Sequence, residues 1–347
     1  MTGELKNDKI LVRDGKKGNR LYNKGYFGKP LSNNGLELDL YEGLYLLETD
    51  RLEIEDGSGD PLEKEDIIGK IPEDDFHREY LPYKDMRRRG YVLKKASDPA
   101  SFRIFPRGGG PSKTPTKYWL CSYRENDIFK INKIIEDKNK ISNLNKTMMT
   151  ALVDEEGDIT YYLFSTIDLK GEVGQKIKNP LEGVLFGDKT IVKEDFQSLH
   201  DEQFYGFKDN ETLRLSTYET LYLTEKSSLK VRRIETDEEV EADELKAMYK
   251  KRIEKFEVEY KVYKDMRERS LIPKTGFKYG APFRVYDDKP DNTHAEYIVQ
   301  PVDENYECEW YQVSRAVRVA HSVRKSFLYA KIKDEGVDYL RIKRETP

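Results

Sequence analysis

The sequence predicts an α+β protein built as a tandem duplication. Each half carries a small N-terminal α/β module, then a compact C-terminal module with a mixed sheet flanked by helices. Two observations predict this: an internal repeat of about 180 residues, and a shared order of helical and strand patterns in the two halves.

The repeat rests on four matches in the same order. YEGLYLLE at 41–48 matches YETLYLTE at 218–225, and YKDMRRR at 83–89 matches YKDMRER at 263–269. FRIF at 102–105 matches FRVY at 283–286, and DEEG at 154–157 matches KDEG at 333–336. The offsets run only from 177 to 181, so a few inserted or deleted residues account for the drift. The join is expected near 172–178. A second boundary follows the YKDMR helix in each half. The expected modules are 1–88, 89–172, 173–270 and 271–347.

The elements follow from local pattern. YEGLYLLE has apolar residues at helical spacing. YKDMRER ends a second helix. The last module reads as strand 277–286, turn, strand 294–302, helix about 311–328, strand about 327–333 and strand 338–343. VRKSFLYAKI reads either as helix or as strand. On the helix, Val313, Ala316, Val317, Ala320 and Phe327 share an apolar face. Tyr311, Arg315, Arg318, Ser322 and Lys325 share the opposite one. Arg318 and Lys325 are seven apart and should point the same way. Taken alone, that is a solvated basic face. Arg324 does not fit the pattern.

Composition limits the functions available. Charged residues make up 36% and mean hydropathy is -0.82, so the surface is polar. Aromatics reach 12%, enough to build cores from few side chains. Net charge is -4, so a polyanion partner requires a local basic patch rather than a global one. Cys121 and Cys308, the only cysteines, form no thiolate metal motif. The polar start MTGELKNDKI and the lack of any long apolar run read as a soluble cytoplasmic protein with no membrane association.

The four histidines are His77, His200, His294 and His321. His294 opens the strand after the turn that follows Tyr286. Separately, these two are a turn residue and a strand-end aromatic. With Lys325 they form a set suited to metal-free RNA cleavage. RNA carries its own nucleophile, the 2′-OH. Cleavage needs a base for that proton, an acid for the departing 5′-oxygen and a cation for the phosphorane. Histidine suits the acid. Tyrosine serves as a base where a neighbouring ammonium favours the phenolate. The other histidines read as ordinary loop or helix residues.

The second half resembles the archaeal tRNA-splicing endonucleases. The resemblance rests on KTGFKYGAPFRVY at 274–286, HAEYIV at 294–299, SRAVRVAHSVRKSFLYA at 314–330 and YLRIKR at 339–344. It implies that Tyr286 is the general base, His294 the general acid and Lys325 the group that stabilises the transition state. It implies two arginines that clamp a bulged base by stacking. Arg318 fits the first, and either Arg344 or Arg341 the second. No metal or other cofactor is implied. The implied partner is intron-bearing precursor tRNA. The first half departs from the family: Phe105 replaces Tyr286, Pro115 replaces His294, and only Lys146 matches Lys325. Its C-terminal module is therefore expected to be a degenerate, nuclease-like copy. This organisation resembles the fused two-repeat class that works as a homodimer. In that class a loop placed like Asp154, Glu155, Glu156 and Asp158 docks into a basic groove on the neighbouring subunit; otherwise it reads as a solvated acidic turn.

Two rival functions remain at this stage. Pro290-Asp291 and Glu296 suggest a metal-dependent nuclease, but Ile298 stands where that motif needs lysine. The first half alone suggests a non-catalytic RNA-binding scaffold.

Overall fold

The computed structural model describes residues 2–32, 34–174, 177, 180–290 and 293–347. Parts of the expected join, and Asp291, lie outside the described residues. The centre of the molecule is a ten-stranded mixed sheet. Its strands, in chain order, are β1 (Val92–Lys95), β2 (Phe102–Phe105), β3 (Tyr118–Arg124), β4 (Thr147–Val153) and β5 (Ile159–Ile167). The second repeat supplies β6 (Ile272–Thr275), β7 (Phe283–Tyr286), β8 (Tyr297–Val302), β9 (Ser326–Ile332) and β10 (Val337–Glu345). Their order across the sheet is β6-β7-β8-β9-β10-β5-β4-β3-β2-β1. Each repeat contributes five strands in the same arrangement, and the two C-terminal modules share one sheet.

β8 reads YIVQPV, with Ile298 and Val299 both buried, because both faces of the sheet are covered. Ile298 packs with Val313 and Val317 of the Trp310–Ser322 helix. Val299 packs with Tyr260 and Tyr263 of the Phe256–Glu268 helix on the other side. The Trp310–Ser322 helix links β8 to its parallel neighbour β9. Two expected boundaries are corrected here. Phe277–Tyr279 is a 3-10 turn, so β7 begins only at Phe283. The following strand begins at Tyr297, which leaves His294 in the preceding loop.

The repeats meet along β5 and β10, which pair antiparallel from Tyr161↔Glu345 to Ile167↔Tyr339. A second ribbon pairs Ile128–Lys130 with Glu307–Glu309. Trp310, fully buried, stacks on Tyr123 at 4.6 Å and meets Phe129 edge-on at 5.1 Å. The Tyr162 hydroxyl donates to Ser314 Oγ at 2.8 Å. All of these contacts join one repeat to the other.

Each N-terminal module is a small sheet with helices packed on it, among them Leu40–Glu48 in the first and Thr217–Glu225 in the second. These are the YEGLYLLE and YETLYLTE segments. A capping box starts each, Asp39 with Glu42 and Ser216 with Glu219. The same glutamates tie module to module. Lys94 Nζ donates to Glu42 Oε1 at 2.9 Å and to the Gly28 carbonyl at 2.8 Å. Lys274 Nζ repeats this with Glu219 Oε1 at 3.4 Å and the Gly206 carbonyl at 2.9 Å. Gly206 has φ +67, and a Cβ there would stand 2.6 Å from Leu213 Cδ1, so glycine is required. Beside each pair a guanidinium covers an aromatic ring: Arg87 on Phe27 and Arg267 on Tyr205, both at 3.8 Å. Burial raises Glu219, but Lys274, Arg267 and backbone N–H donors outweigh it and hold it below its ordinary value.

The two caps differ in charge. Burial and the adjacent Glu42 carboxylate push Asp39 up to about 6, whereas Ser216 is neutral. A carboxyl raised on folding costs stability as pH rises from its unfolded value through its folded one. Asp39→Ser copies the second repeat, keeps the cap oxygen and removes that cost. Its stability gain should be small near pH 4 and grow to about 1–3 kcal/mol above pH 6. Thermal melting across this range checks it; a gain independent of pH would remove the repulsion as its source.

Candidate active site

Three chain segments meet at one end of the sheet. β7 and β8 run antiparallel, so the last residue of β7 lies beside the segment that opens β8. β8 and β9 run parallel, so the segment opening β9 lies at that end too. Tyr286 is the last residue of β7, His294 precedes β8, and Lys325 immediately precedes β9. Backbone hydrogen bonds fix the convergence. The Glu296 N–H donates to the Val285 carbonyl at 3.1 Å, and the Ser326 N–H to the Glu296 carbonyl at 2.9 Å. Lys325 Nζ donates to the Ala295 carbonyl at 2.7 Å, directly beside His294.

The three side chains differ in exposure. Tyr286 is only 9% exposed and clusters with Val173, Phe204, Ile272 and Ala295. The Arg284 guanidinium lies 5.7 Å from its ring centroid. Val173 belongs to the join between the repeats, which is held here by the Glu172 N–H on the Asp287 carbonyl at 3.2 Å. His294 is exposed and Lys325 half-buried.

The expected helical position of Lys325 is corrected. The helix ends at Ser322, and Arg324 takes a left-handed conformation, φ +56. The Lys325 N–H then donates to the Ala320 carbonyl. The chain must turn here to enter β9 beside β8. Lys325 therefore does not share a helical face with Arg318. The turn also accounts for Arg324, which helical periodicity could not. The first repeat has the same turn: Asn145 has φ +56, and the Lys146 N–H donates to the Ile141 carbonyl. Lys146 thus occupies the backbone place of Lys325. Phe105 ends β2 as Tyr286 ends β7, and Pro115 lies in the loop before β3.

Arg318 and Arg344 are both exposed and flank one point on the seam. Burial raises the Tyr162 phenol, while its bond to Ser314 and the charges of Arg318 and Arg344 oppose that rise. Arg344 pairs with Tyr162 across the seam. It follows Leu340 and Ile342 on the face that packs beneath the Trp310–Ser322 helix. Arg341 faces the other way, and its Nε donates to Ser165 Oγ at 3.1 Å. The alternation along YLRIKR carries this distinction. Lys325 and Arg344 line one hollow of about 580 Å³, together with Arg324, Lys343 and His321. Helical periodicity alone places His321 only on the helix surface.

The acidic loop is a turn between β4 and β5. Asp154 Oδ1 accepts the N–H groups of Glu156 at 3.1 Å and Asp158 at 2.8 Å, so it builds the turn. Glu155, Glu156 and Asp158 are exposed. In the second-repeat loop, Lys333 pairs with Asp338 at 2.7 Å.

Known proteins match this arrangement along the whole chain. The model of the tRNA intron endonuclease catalytic C-terminal domain matches residues 76–161 and 256–339. The model of the tRNA intron endonuclease N-terminal domain matches residues 1–68 and 181–246. A tRNA-splicing endonuclease of Methanococcoides burtonii is 35% identical, with 99% of each chain covered. One of Methanosarcina barkeri is 32% identical, again over 99% of each chain. One of Haloferax volcanii is 27% identical over 100% of both. With both family domains present twice, and relatives above 30% identity over nearly its full length, the chain belongs to the tRNA-splicing endonuclease family.

Proposed function

We propose that this chain excises introns from precursor tRNA by cutting bulge–helix–bulge sites through metal-independent attack of the 2′-OH. The observation that carries the mechanism is the position of Tyr286, His294 and Lys325 at one end of three adjacent strands. Tyr286 takes the 2′-OH proton. His294, exposed at the loop, donates a proton to the departing 5′-oxygen. Lys325 uses one of its three donors on the Ala295 carbonyl, which fixes its direction. The other two are left for the charge growing on the phosphorane. Arg318 and Arg344 hold the bulged base, and their shared place beside Tyr162 supports the choice of Arg344 over Arg341.

The products test the mechanism. The 2′-OH attack leaves a 2′,3′-cyclic phosphate on one fragment and a 5′-OH on the other, and cleavage should persist in excess EDTA. Ends bearing 3′-OH and 5′-phosphate would refute it.

His294→Ala should slow cleavage by about 10²–10⁴-fold while RNA affinity is retained. His77→Ala should leave the rate unchanged. Single-turnover cleavage and filter binding measure the two quantities; an equal fall in affinity would make His294 a binding group.

The assembly we propose is a C₂ homodimer. One chain carries one complete Tyr/His/Lys set, a bulge–helix–bulge has two cut sites, and two-fold symmetry supplies the second set. The acidic loop of the first repeat is its docking element. Three exposed carboxylates on a turn built by Asp154 support that role, as does the neutralising Lys333 in the second-repeat loop. The triple change Glu155→Gln, Glu156→Gln, Asp158→Asn leaves the turn-building Asp154 in place. It should lower both dimer mass and cleavage, most at low salt, where the charges it removes are least screened. Light scattering over a salt series checks this; an unchanged mass would leave the loop a solvated turn.

A further inference from the structure

The catalytic repeat has a cleft that its degenerate twin has almost closed. It lies between the N-terminal module and the catalytic module and has a volume of about 700 Å³. Its walls include Lys189, Phe207, Arg214, Tyr218, Arg284 and Tyr286. The matching space in the first repeat, lined by Lys9, Asp39, Leu40 and Tyr41, measures about 180 Å³.

Three differences between the repeats account for this. In the first repeat Lys95 lies over the Tyr41 ring at 4.1 Å and pairs with Glu79 at 2.5 Å, closing the space. Register puts Thr275 in the place of Lys95: Lys95 pairs with Phe102 as Thr275 pairs with Phe283. A short threonine cannot reach across as Lys95 does, and Tyr218, half-buried and stacked on Phe256 and Tyr263, still lines the cleft. At the outer rim the first repeat pairs Lys29 with Glu37, and the second pairs Phe207 with Arg214. An acidic position has become basic, and a lysine has become a phenylalanine that is 67% exposed. The Arg214 guanidinium lies 5.8 Å from the Phe207 ring.

The cleft's free donors are cationic. Among the described residues, buried Arg284 Nε has no hydrogen-bond partner, although the side chain lines the cleft beside Tyr286. Arg214 pairs with Asp209 and Lys189 with Asp188, but these are surface pairs that a phosphate can displace at little cost. Its acidic wall residue, Glu219, is already committed to Lys274, Ser216 and Gly206.

We infer that this cleft holds a single-stranded segment of the RNA substrate next to the cut. Arg284, Arg214 and Lys189 take its phosphates, and a base stacks on Phe207. The inference rests on the nuclease reading above. Cations that track a backbone, with an exposed aromatic for a base, make a binding site for single strands. Continuity with Tyr286 gives the strand its position. The first repeat has Phe105 in place of Tyr286, and its cleft is reduced to about 180 Å³.

The test measures affinity for a precursor tRNA made uncleavable by 2′-deoxy residues at both cut sites. Phe207→Lys with Arg214→Glu writes the first repeat's rim onto the second. Affinity should fall about 10–100-fold, since one stacked base contributes about 1–3 kcal/mol and phosphate contacts add to it. Phe186→Ala, at an aromatic 61% exposed but outside the cleft, should change nothing. A benzophenone amino acid replacing Phe207 should cross-link to RNA. Unchanged affinity in a double variant with wild-type melting temperature would overturn the inference, as would a cross-link to protein alone. Wild-type cleavage of the unmodified RNA reports separately on the nuclease reading, so the two can fail independently.

Discussion

The pairing of β5 with β10 is the constraint on which the rest of the molecule depends. It joins two five-stranded modules into one sheet and fixes their relative register over seven residue pairs. Both strands are interior, so neither presents a free edge at the seam. The side chains above it follow from that register. Trp310 enters a pocket made by Tyr123, Phe129 and Phe164 of the other repeat. Arg318 and Arg344 reach the same point because Tyr162 is held there by Ser314 and by its partner strand. The seam thus positions the proposed base-holding arginines, although both belong to the second repeat and their anchor belongs to the first.

A second, duplicated constraint sets the angle of each outer module. Lys94 with Glu42 and Lys274 with Glu219 are largely buried pairs, the glutamates more so than the lysines, that also satisfy a helix cap and a glycine carbonyl. Buried ion pairs often contribute little net stability, because desolvation offsets their attraction. Their value here is geometric: one carboxylate serves the helix start and the neighbouring sheet together. An apolar substitute would fill the space without fixing that orientation.

The duplication and the candidate site were legible in the sequence because both reside in short contiguous blocks. FRVY, HAEYIV and the VRK segment each carry one of the proposed catalytic side chains, and the fold only has to lay them side by side. What could not be read was where local pattern gives way to tertiary demand. SVRKSFLYA has helical spacing, yet the need to enter β9 turns the chain at Arg324 and takes Lys325 off the helix. The strand expected from Phe277 is shortened by a 3-10 turn. The Lys–Glu ties join residues more than fifty positions apart, and no periodicity reports them. Arg341 and Arg344 were separable in principle by strand alternation, but only the seam shows which face holds the helix.

The join between the repeats is more than a tether. Gly171 approaches Ser270 so closely that a Cβ would lie 2.1 Å from its carbonyl oxygen, and Val173 forms part of the wall around Tyr286. Fusion has therefore become architecture: the passage from one copy to the next is built into the pocket around Tyr286. Were the gene divided into two, the place of the cut would decide the outcome. A break upstream of Gly171 leaves the second polypeptide with its own wall. A break after Val173 leaves that wall on the first polypeptide, so the pocket around Tyr286 would be completed only when the halves find each other.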